Sequence, residues 1–540
     1  MKLYSAFRNL QAVYSRAALP LLLILLVLLC LARAYGGLYG VMSYPHDVFA
    51  LLGPAWKVLN GQKPHIDFYS QLGPVPYLET ALGLILSHNQ PAGLVYGQVM
   101  SGFLISIWTH WLARTRFSSP FYHLLSLYVL LLAIAPLSLG ETFASLSVAM
   151  SYNRLGYGLT IVILVEALAP TRNGSLRSGF PGGLSTGAAI AILLFTKITF
   201  FFGAIFLLIA LAFVRPQTRS RWVGMALGFC GVCLAFLAYL NFDLRAILSD
   251  FRISAGAKRL APTKLLAAAF ELLSGEGLSV AAFVFVSCFV LRAGDSGRTV
   301  AQLALAGIAV LLAGAFLLFG NYQDRELPLN ACFAMFLAGL LLRNWSSGKP
   351  EDRIIRSGLI LWAVLLATGP IVSELSATWY MFYERWTGAI RPLSSPGLAT
   401  LRIGDADYAE LVESGLTLAN QYRGPADTIV SLDFTDFFPY ALRIPPPSGG
   451  AFCLHYRSSF SDRSHPEPER LFGSATIVMV PMRFSQADSQ LSIPRIYGPY
   501  LMAHYHLEAT STRWRLYRRN TGIPVVKWLR LETNRSVEAS

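Results

Sequence analysis

The chain holds one apolar run after another, each long enough to cross a bilayer, and this limits its fold more than any other feature. A helix crossing about 30 Å of hydrocarbon at 1.5 Å per residue needs roughly 20 mainly apolar residues. Inside lipid every backbone polar group must pair within the protein, which leaves helices or closed barrels. Strong runs lie near residues 17 to 37, 91 to 113, 122 to 140, 222 to 241, 299 to 319 and 356 to 376, with shorter ones near 155 to 170, 277 to 292 and 327 to 343. The run from Gly182 to Val214 is long for one span and carries Thr196 and Lys197 at its midpoint, so it reads as a hairpin of two short helices. Composition agrees: 54% of the 540 residues are hydrophobic and 14% are charged, with a mean hydropathy of +0.49, too apolar for an ordinary soluble enzyme. The expected fold class is an α-helical polytopic membrane protein of about 11 transmembrane helices.

Orientation follows from the short loops. Segments 1 to 16, 114 to 121, 171 to 181, 215 to 221, 292 to 298 and 343 to 356 are denser in Lys and Arg than those between them, and positive loops stay cytoplasmic. The N-terminus is therefore expected inside, with the first loop, 38 to 74, and everything after residue 376 outside. The stretch "VPYLETALGLILS", 75 to 87, is short for a span and reads as interfacial or re-entrant. If it crosses and 182 to 214 is one long helix, the number of crossings is the same. Lys2, Arg8 and Arg16 ahead of the first run, with "ARA" at 32 to 34, also fit a signal peptide; an uncleaved first helix is the simpler account for a chain with many later spans.

From about Arg391 the chain changes character. "DYAELVESGLTLANQY" has helical spacing, "DTIVSLDF" and "ATIVMVP" read as short buried strands, and "FPYALRIPPPSGGAF" is turn-rich. The expected division is a multi-span domain over 1–380 and a soluble extracytoplasmic α/β domain over 391–540. Five of the six cysteines sit in apolar runs and behave as small hydrophobes, so "CGVC" at 230 to 233 reads as packing. The net charge of +14 is shared between cytoplasmic loops and the tail "RWRLYRRNTGIPVVKWLRLETNR". It suits anionic membrane lipids, and no nucleic-acid module is visible.

Ionisable groups near a membrane face are costly unless paired, solvated or used. The expected outer face collects His46, Asp47, His65, Asp67 and Glu79 from the first loop and its return to the membrane, Glu141, Asn153 and Arg154 from "GETFASLSVAMSYNRLGY", Lys197 from "FTKITF", and Asp324, Arg325 and Glu326 from "GNYQDRELPL". Asp47 precedes the amphipathic "VFALLGPAWKVLNG" and is either its N-cap or a catalytic carboxylate. Asp67 either stabilises a turn or adds a second carboxylate. His46 and His65 flank the two aspartates and suit either solvated loops or a divalent metal, whose identity the sequence leaves unknown. Arg154 and Lys197, cations at the outer ends of spans, suit a phosphate or a snorkelling contact with headgroups. Glu79, Asn153 and Arg325 are possible supporting residues.

The order of first span, acidic outer loop with Asp47, surface helix, "LNGQKPHIDFYSQLGPVPYL" and return to the membrane resembles the GT-C membrane glycosyltransferases. That superfamily includes the protein O-mannosyltransferases and the lipid A aminoarabinose transferases. The residues carrying the resemblance are Asp47, Gly61 to Pro64, Asp67 with Phe68 and Tyr69, Gly73 with Pro74, and the "LLFTKITFFFGA" run, within about residues 10 to 215. Where the commoner pattern has two adjacent acids, this chain has His46 and Asp47.

The resemblance implies transfer of a sugar from a polyprenyl-phosphate donor to a lipid, glycan or protein acceptor on the outer face of the inner membrane, with Asp47 as general base. Chemistry agrees, since such a transfer needs a carboxylate at the acceptor hydroxyl and a cation at the departing phosphate. Asp67 then becomes a second acid, and Arg154 and Lys197 the phosphate contacts. A lipid-linked oligosaccharide polymerase or ligase is an alternative, although its large loop is expected between late spans. A transporter should show matching halves with broken helices.

Overall fold

The computed structural model describes residues 2–119, 121–168, 179–257, 276–292, 297–321, 326–343 and 350–520. They fall into two compact units. The first comprises Met1–Ala55, Leu72–Leu244 and Arg259–Ala409; the second comprises Trp56–Gln71, Arg245–Lys258 and Glu410–Ser540.

The first unit is helical. α1 (Lys2–Gly36) leads into a short strand β1 (Leu38–Val41) and the start of α2 (Asp47–Leu59). It resumes with α3 (Val75–Leu86), α4 (Gly93–Ala113), α5 (Phe121–Ile134), α6 (Ser151–Leu168), α7 (Gly179–Leu194), α8 (Ile198–Val214) and α9 (Arg219–Tyr239). After α10 (Leu244–Ala257), which from Arg245 on belongs to the second unit, the first unit continues with α11 (Glu276–Arg292), α12 (Gly297–Gly320), α13 (Pro328–Arg343) and α14 (Pro350–Thr387). Among the described residues, Ala18–Gly36, Arg219–Tyr239, Val300–Gly320 and Ile354–Thr387 have the length and apolarity to cross a membrane, and five further apolar helices are shorter. The long apolar run breaks at Phe195–Lys197 into α7 and α8. Lys197 there is extended, with φ −160° and ψ 126°.

Small residues set the closest helix packing, as expected where lipid tails remove the hydrophobic drive between helices. Gly183 and Gly187 on α7 face Gly224 and Gly228 on α9; a Cβ at Gly187 would run into the Met225 carbonyl and one at Gly228 into that of Leu184. Gly83 on α3 meets Gly93 and Gly97 on α4 in the same way. A buried Arg116–Glu166 pair at 2.7 Å, with Arg221 at 3.4 Å from the same carboxylate, ties α6 to its neighbours. β1 pairs in parallel with β2 (Leu401–Ile403).

The second unit is α/β. α15 (Ala406–Tyr422) leads into it, and its sheet has the order β3 (Ile429–Ser431), β4 (Ile477–Pro481), β6 (Trp514–Arg519), β5 (Tyr505–Thr510). β3 and β4 are parallel and the other neighbours antiparallel. Short helices α16 (Phe438–Leu442) and α17 (Pro468–Phe472) and the longer α18 (Ser489–His504) complete it. Val430, Phe460, Phe472, Val478, Tyr497 and Tyr505 form its core. Trp514 is fully buried, its indole N–H donating to the Leu411 carbonyl at 2.8 Å.

The motif-bearing loop is fastened within this unit. Buried Lys57 donates to the Pro447 and Gly449 carbonyls at 3.0 and 2.9 Å, and Gln62 to those of Pro446 and Pro447. Buried His65 meets Asp250 at 3.0 Å, while Arg470 holds the other oxygen of the same carboxylate at 2.5 Å. The tail read as a basic surface segment is partly strand β6: Arg518 pairs with Asp427 at 2.9 Å and Glu508 at 2.6 Å, so its charge is met inside the fold. Residues 521–540 lie outside the described residues.

Candidate functional site

The short segment from Met150 to Arg154 gathers most of the chemistry of the first unit. Asp47, the first residue of α2, accepts a hydrogen bond from the Met150 amide. The Asp47 side chain is 16% exposed and lies 3.5 Å from His46 Nε2. Burial pushes its carboxyl up to about 7, partly offset by the Met150 N–H. The His46 ring packs edge-on to Tyr44 and Tyr408.

Three residues on, at the start of α6, Asn153 accepts a hydrogen bond from Lys197 Nζ at 3.0 Å. The same ammonium lies 5.0 Å from the Tyr152 ring. Lys197 reaches this position because the chain breaks between α7 and α8, where Gly73 and Val75 hydrogen-bond the Thr196 and Phe195 carbonyls at 3.2 and 3.0 Å. A Cβ on Gly73 would collide with the Phe195 backbone, so the "GP" following the loop is required by close approach.

Arg154 is buried. Its guanidinium donates to the Ala135 carbonyl and, at 2.8 Å, to that of Leu137, while Nε and Nη2 find no acceptor among the described residues. The carboxylates of Glu374, Glu326 and Glu79 attract its positive charge. Glu79 itself accepts a short hydrogen bond from Ser101. Asp47 and Asn153–Lys197 are thus drawn to one segment, with Arg154 directly behind it.

Asp67 and His65 belong to the second unit. Asp67 Oδ2 accepts from the Lys63 amide at 2.6 Å and its carbonyl from Gly449 at 2.8 Å, closing the turn. Arg325 and Asp324 lie outside the described residues. Among the described residues no group of three or more His, Cys, Asp or Glu side chains converges as a metal site. Among the described residues, His46 is the metal-ligating side chain recorded beside Asp47, at 3.5 Å. Asp405–Ala406–Asp407 has D-x-D spacing, but Asp405 is spent on starting α15, accepting from the Tyr408 amide at 3.0 Å.

Sequence reasoning missed a second buried group, Lys57 with Asp436. Burial lowers the lysine to about 8 and raises the carboxyl to about 7, each opposed by attraction to the other. No local pattern signals a pairing across that much chain.

No protein-family model matches the chain, and no curated protein matches it in sequence. Solved structures do. ArnT from Cupriavidus metallidurans is similar in its apo state, at 14% identity and a TM-score of 0.52, and bound to undecaprenyl phosphate, at 13% and 0.50. Each comparison covers 93% of this chain and 98% of that one. The archaeal oligosaccharyltransferase AglB from Archaeoglobus fulgidus, in complex with an inhibitory peptide and a dolichol-phosphate, aligns over 94% of this chain and 75% of that one, at 11% identity and a TM-score of 0.43. The likeness to ArnT is one of fold: the chain is an α-helical, multi-pass membrane protein of ArnT-like fold with a C-terminal α/β region. It extends well past residues 10 to 215, where the motifs lie.

Proposed function

We propose that this chain is a membrane glycosyltransferase that takes a sugar from a polyprenyl-phosphate donor and passes it to a hydroxyl of a lipid, glycan or protein acceptor on the outer face of the inner membrane. In this reading the N-terminus is cytoplasmic and the second unit extracytoplasmic. The observation that carries it is the meeting of a carboxylate, Asp47, and a cation, Lys197, on the Met150–Asn153 segment at the start of α6.

The two groups divide the reaction. The acceptor oxygen bonds to the sugar's anomeric carbon as the carbon–oxygen bond to the phosphate breaks. Asp47 takes the acceptor's proton, and the polyprenyl phosphate leaves with the bonding electron pair. A base raised to about 7 is well matched to work near neutral pH. Lys197, held by Asn153, stabilises charge growing on the phosphate. Arg154, next along the chain from Asn153 and buried, adds positive charge behind it. The similarity of fold to ArnT bound to undecaprenyl phosphate supports a lipid-phosphate donor.

The test is release of polyprenyl phosphate by purified protein offered a panel of polyprenyl-phosphate sugars. Asp47→Asn is expected to slow release by about 10²–10⁴-fold, and Lys197→Met by about 10²-fold, with thermal melts showing folded protein. Asp67→Asn is expected to lose less, because one of its oxygens is already engaged by Lys63. A wild type inert across the panel, or an Asp47→Asn variant as fast as wild type, would sink the reading.

A further inference from the structure

Within the first unit, a cavity of about 600 Å³ opens where α1 ends, β1 begins, α4 starts and the chain leaves α14. Its charged side chains are Arg385, Arg391 and Arg402, and among the described residues lining it none is acidic. Neither Asp47, Asn153 nor Lys197 lines it. The nearby Glu384 is engaged by the Tyr380 hydroxyl.

The three arginines are differently committed. Arg385 donates to the Tyr35 carbonyl at 2.6 Å, capping the C-terminal end of α1, and stacks over the Tyr35 ring. Arg402 spends one N–H on the Ala399 carbonyl at 2.7 Å. Arg391 is exposed and has no partner among the described residues. Tyr39 also lines the cavity, and its buried hydroxyl has no hydrogen-bond partner among the described residues. Ala92 and Tyr96 bring the first turn of α4 to the wall, where the amides of Gly93, Leu94, Val95 and Tyr96 are already engaged by the Gln90, Pro91 and Ala92 carbonyls, so the charge of the cavity rests on the arginines.

The surroundings locate this cavity at a membrane surface. α1 and α14 contain two of the helices able to cross, and both end here. Tyr35, Trp379, Tyr383 and Trp386 are all exposed around these ends. Such amphipathic rings mark the headgroup level of a bilayer. Three cations with no lining carboxylate, and a tyrosine hydroxyl beside them, match at that depth a phosphate on a lipid.

We propose that this cavity binds the phosphate headgroup of an anionic membrane lipid, separately from the Asp47 site. The source of the phosphate is testable on the full chain in detergent by calorimetric titration with dihexanoyl-phosphatidic acid, dihexanoyl-phosphatidylcholine and inorganic phosphate. Saturable binding of the phosphatidic acid is expected, with Arg391→Gln and Arg402→Gln each weakening it about tenfold. Tyr39→Phe keeps the ring's packing and is expected to weaken binding several-fold. Because Arg391 is exposed and makes no hydrogen bond or ion pair among the described residues, its replacement tests binding with little cost to the fold.

Equal binding of the zwitterionic lipid, or unchanged binding in both the Arg391 and Tyr39 variants, overturns the proposal. Inorganic phosphate binding at the same concentration as the lipid also overturns it, since the ligand is then a free phosphate. The readout needs no turnover, and Asp47→Asn is expected to bind the lipid as wild type does, so failure of the glycosyltransferase reading would leave this result standing.

Discussion

A carboxyl that must ionise to work is held where ionising is costly. Asp47 gains one amide hydrogen bond but loses most of its water, and its carboxyl rises to about 7 from an ordinary value near 4. Between roughly pH 4 and 7 the folded protein therefore holds a proton that the unfolded chain releases, so stability falls as pH rises through that window. Asp47→Asn cannot ionise. Its melting temperature is expected to exceed that of wild type at pH 8 and to match it near pH 4, which paired thermal melts would check. An equal gap at both values would show that burial does not raise this carboxyl. Asp250 has many partners where Asp47 has few: its fully buried side chain is shared by His65, Arg470 and the Ser70 amide. Asp250→Ala strips three donors at once and is expected to cost about 3–5 kcal/mol, read as a lowered melt. No loss of stability would mean the triad is not a fastening.

At the scale of elements, helix contact in the first unit depends on having no side chain at particular places. Gly183 and Gly187 of α7 lie against α9 backbone, so Gly187→Leu must push the two helices apart. The expected result is loss of folded protein on size-exclusion chromatography, whereas Gly231→Leu, on α9 but with open space around its Cβ position, should be tolerated. Equal behaviour of the two variants would contradict close α7–α9 packing. The break between α7 and α8 was legible from the length of the run and from Lys197 at its middle. The β5–β6 hairpin was not, because "RWRLYRR" shows alternation only once Trp514 and Leu516 are known to face a core and Arg518 to meet Asp427 and Glu508.

For the whole molecule, the proposed reaction makes the rate depend on the ionised form of Asp47. kcat/KM for sugar transfer is expected to rise about tenfold per pH unit below about 7 and to level off above it. The rising limb should vanish in Asp47→Asn; its persistence there would assign the titration to another group. The membrane class, the change of character late in the chain, the breaking of the Gly182–Val214 run and the candidacy of Asp47, Asn153, Arg154 and Lys197 could all be read from the sequence. Hydrophobic length and helix periodicity are local properties, and charges at the ends of apolar runs are visible one residue at a time. Tertiary structure alone decided which groups meet: Asp47 with Met150, Asn153 with Lys197, His65 with Asp250, Lys57 with the proline-rich loop, and three arginines around one cavity. Most of these pairings join segments far apart in the chain, and separation along the chain carries no information about electrostatic partnership. The donors brought to a buried carboxylate set whether it is fastened, as Asp250 is, or poised, as Asp47 is, and those donors are gathered only by the packed fold.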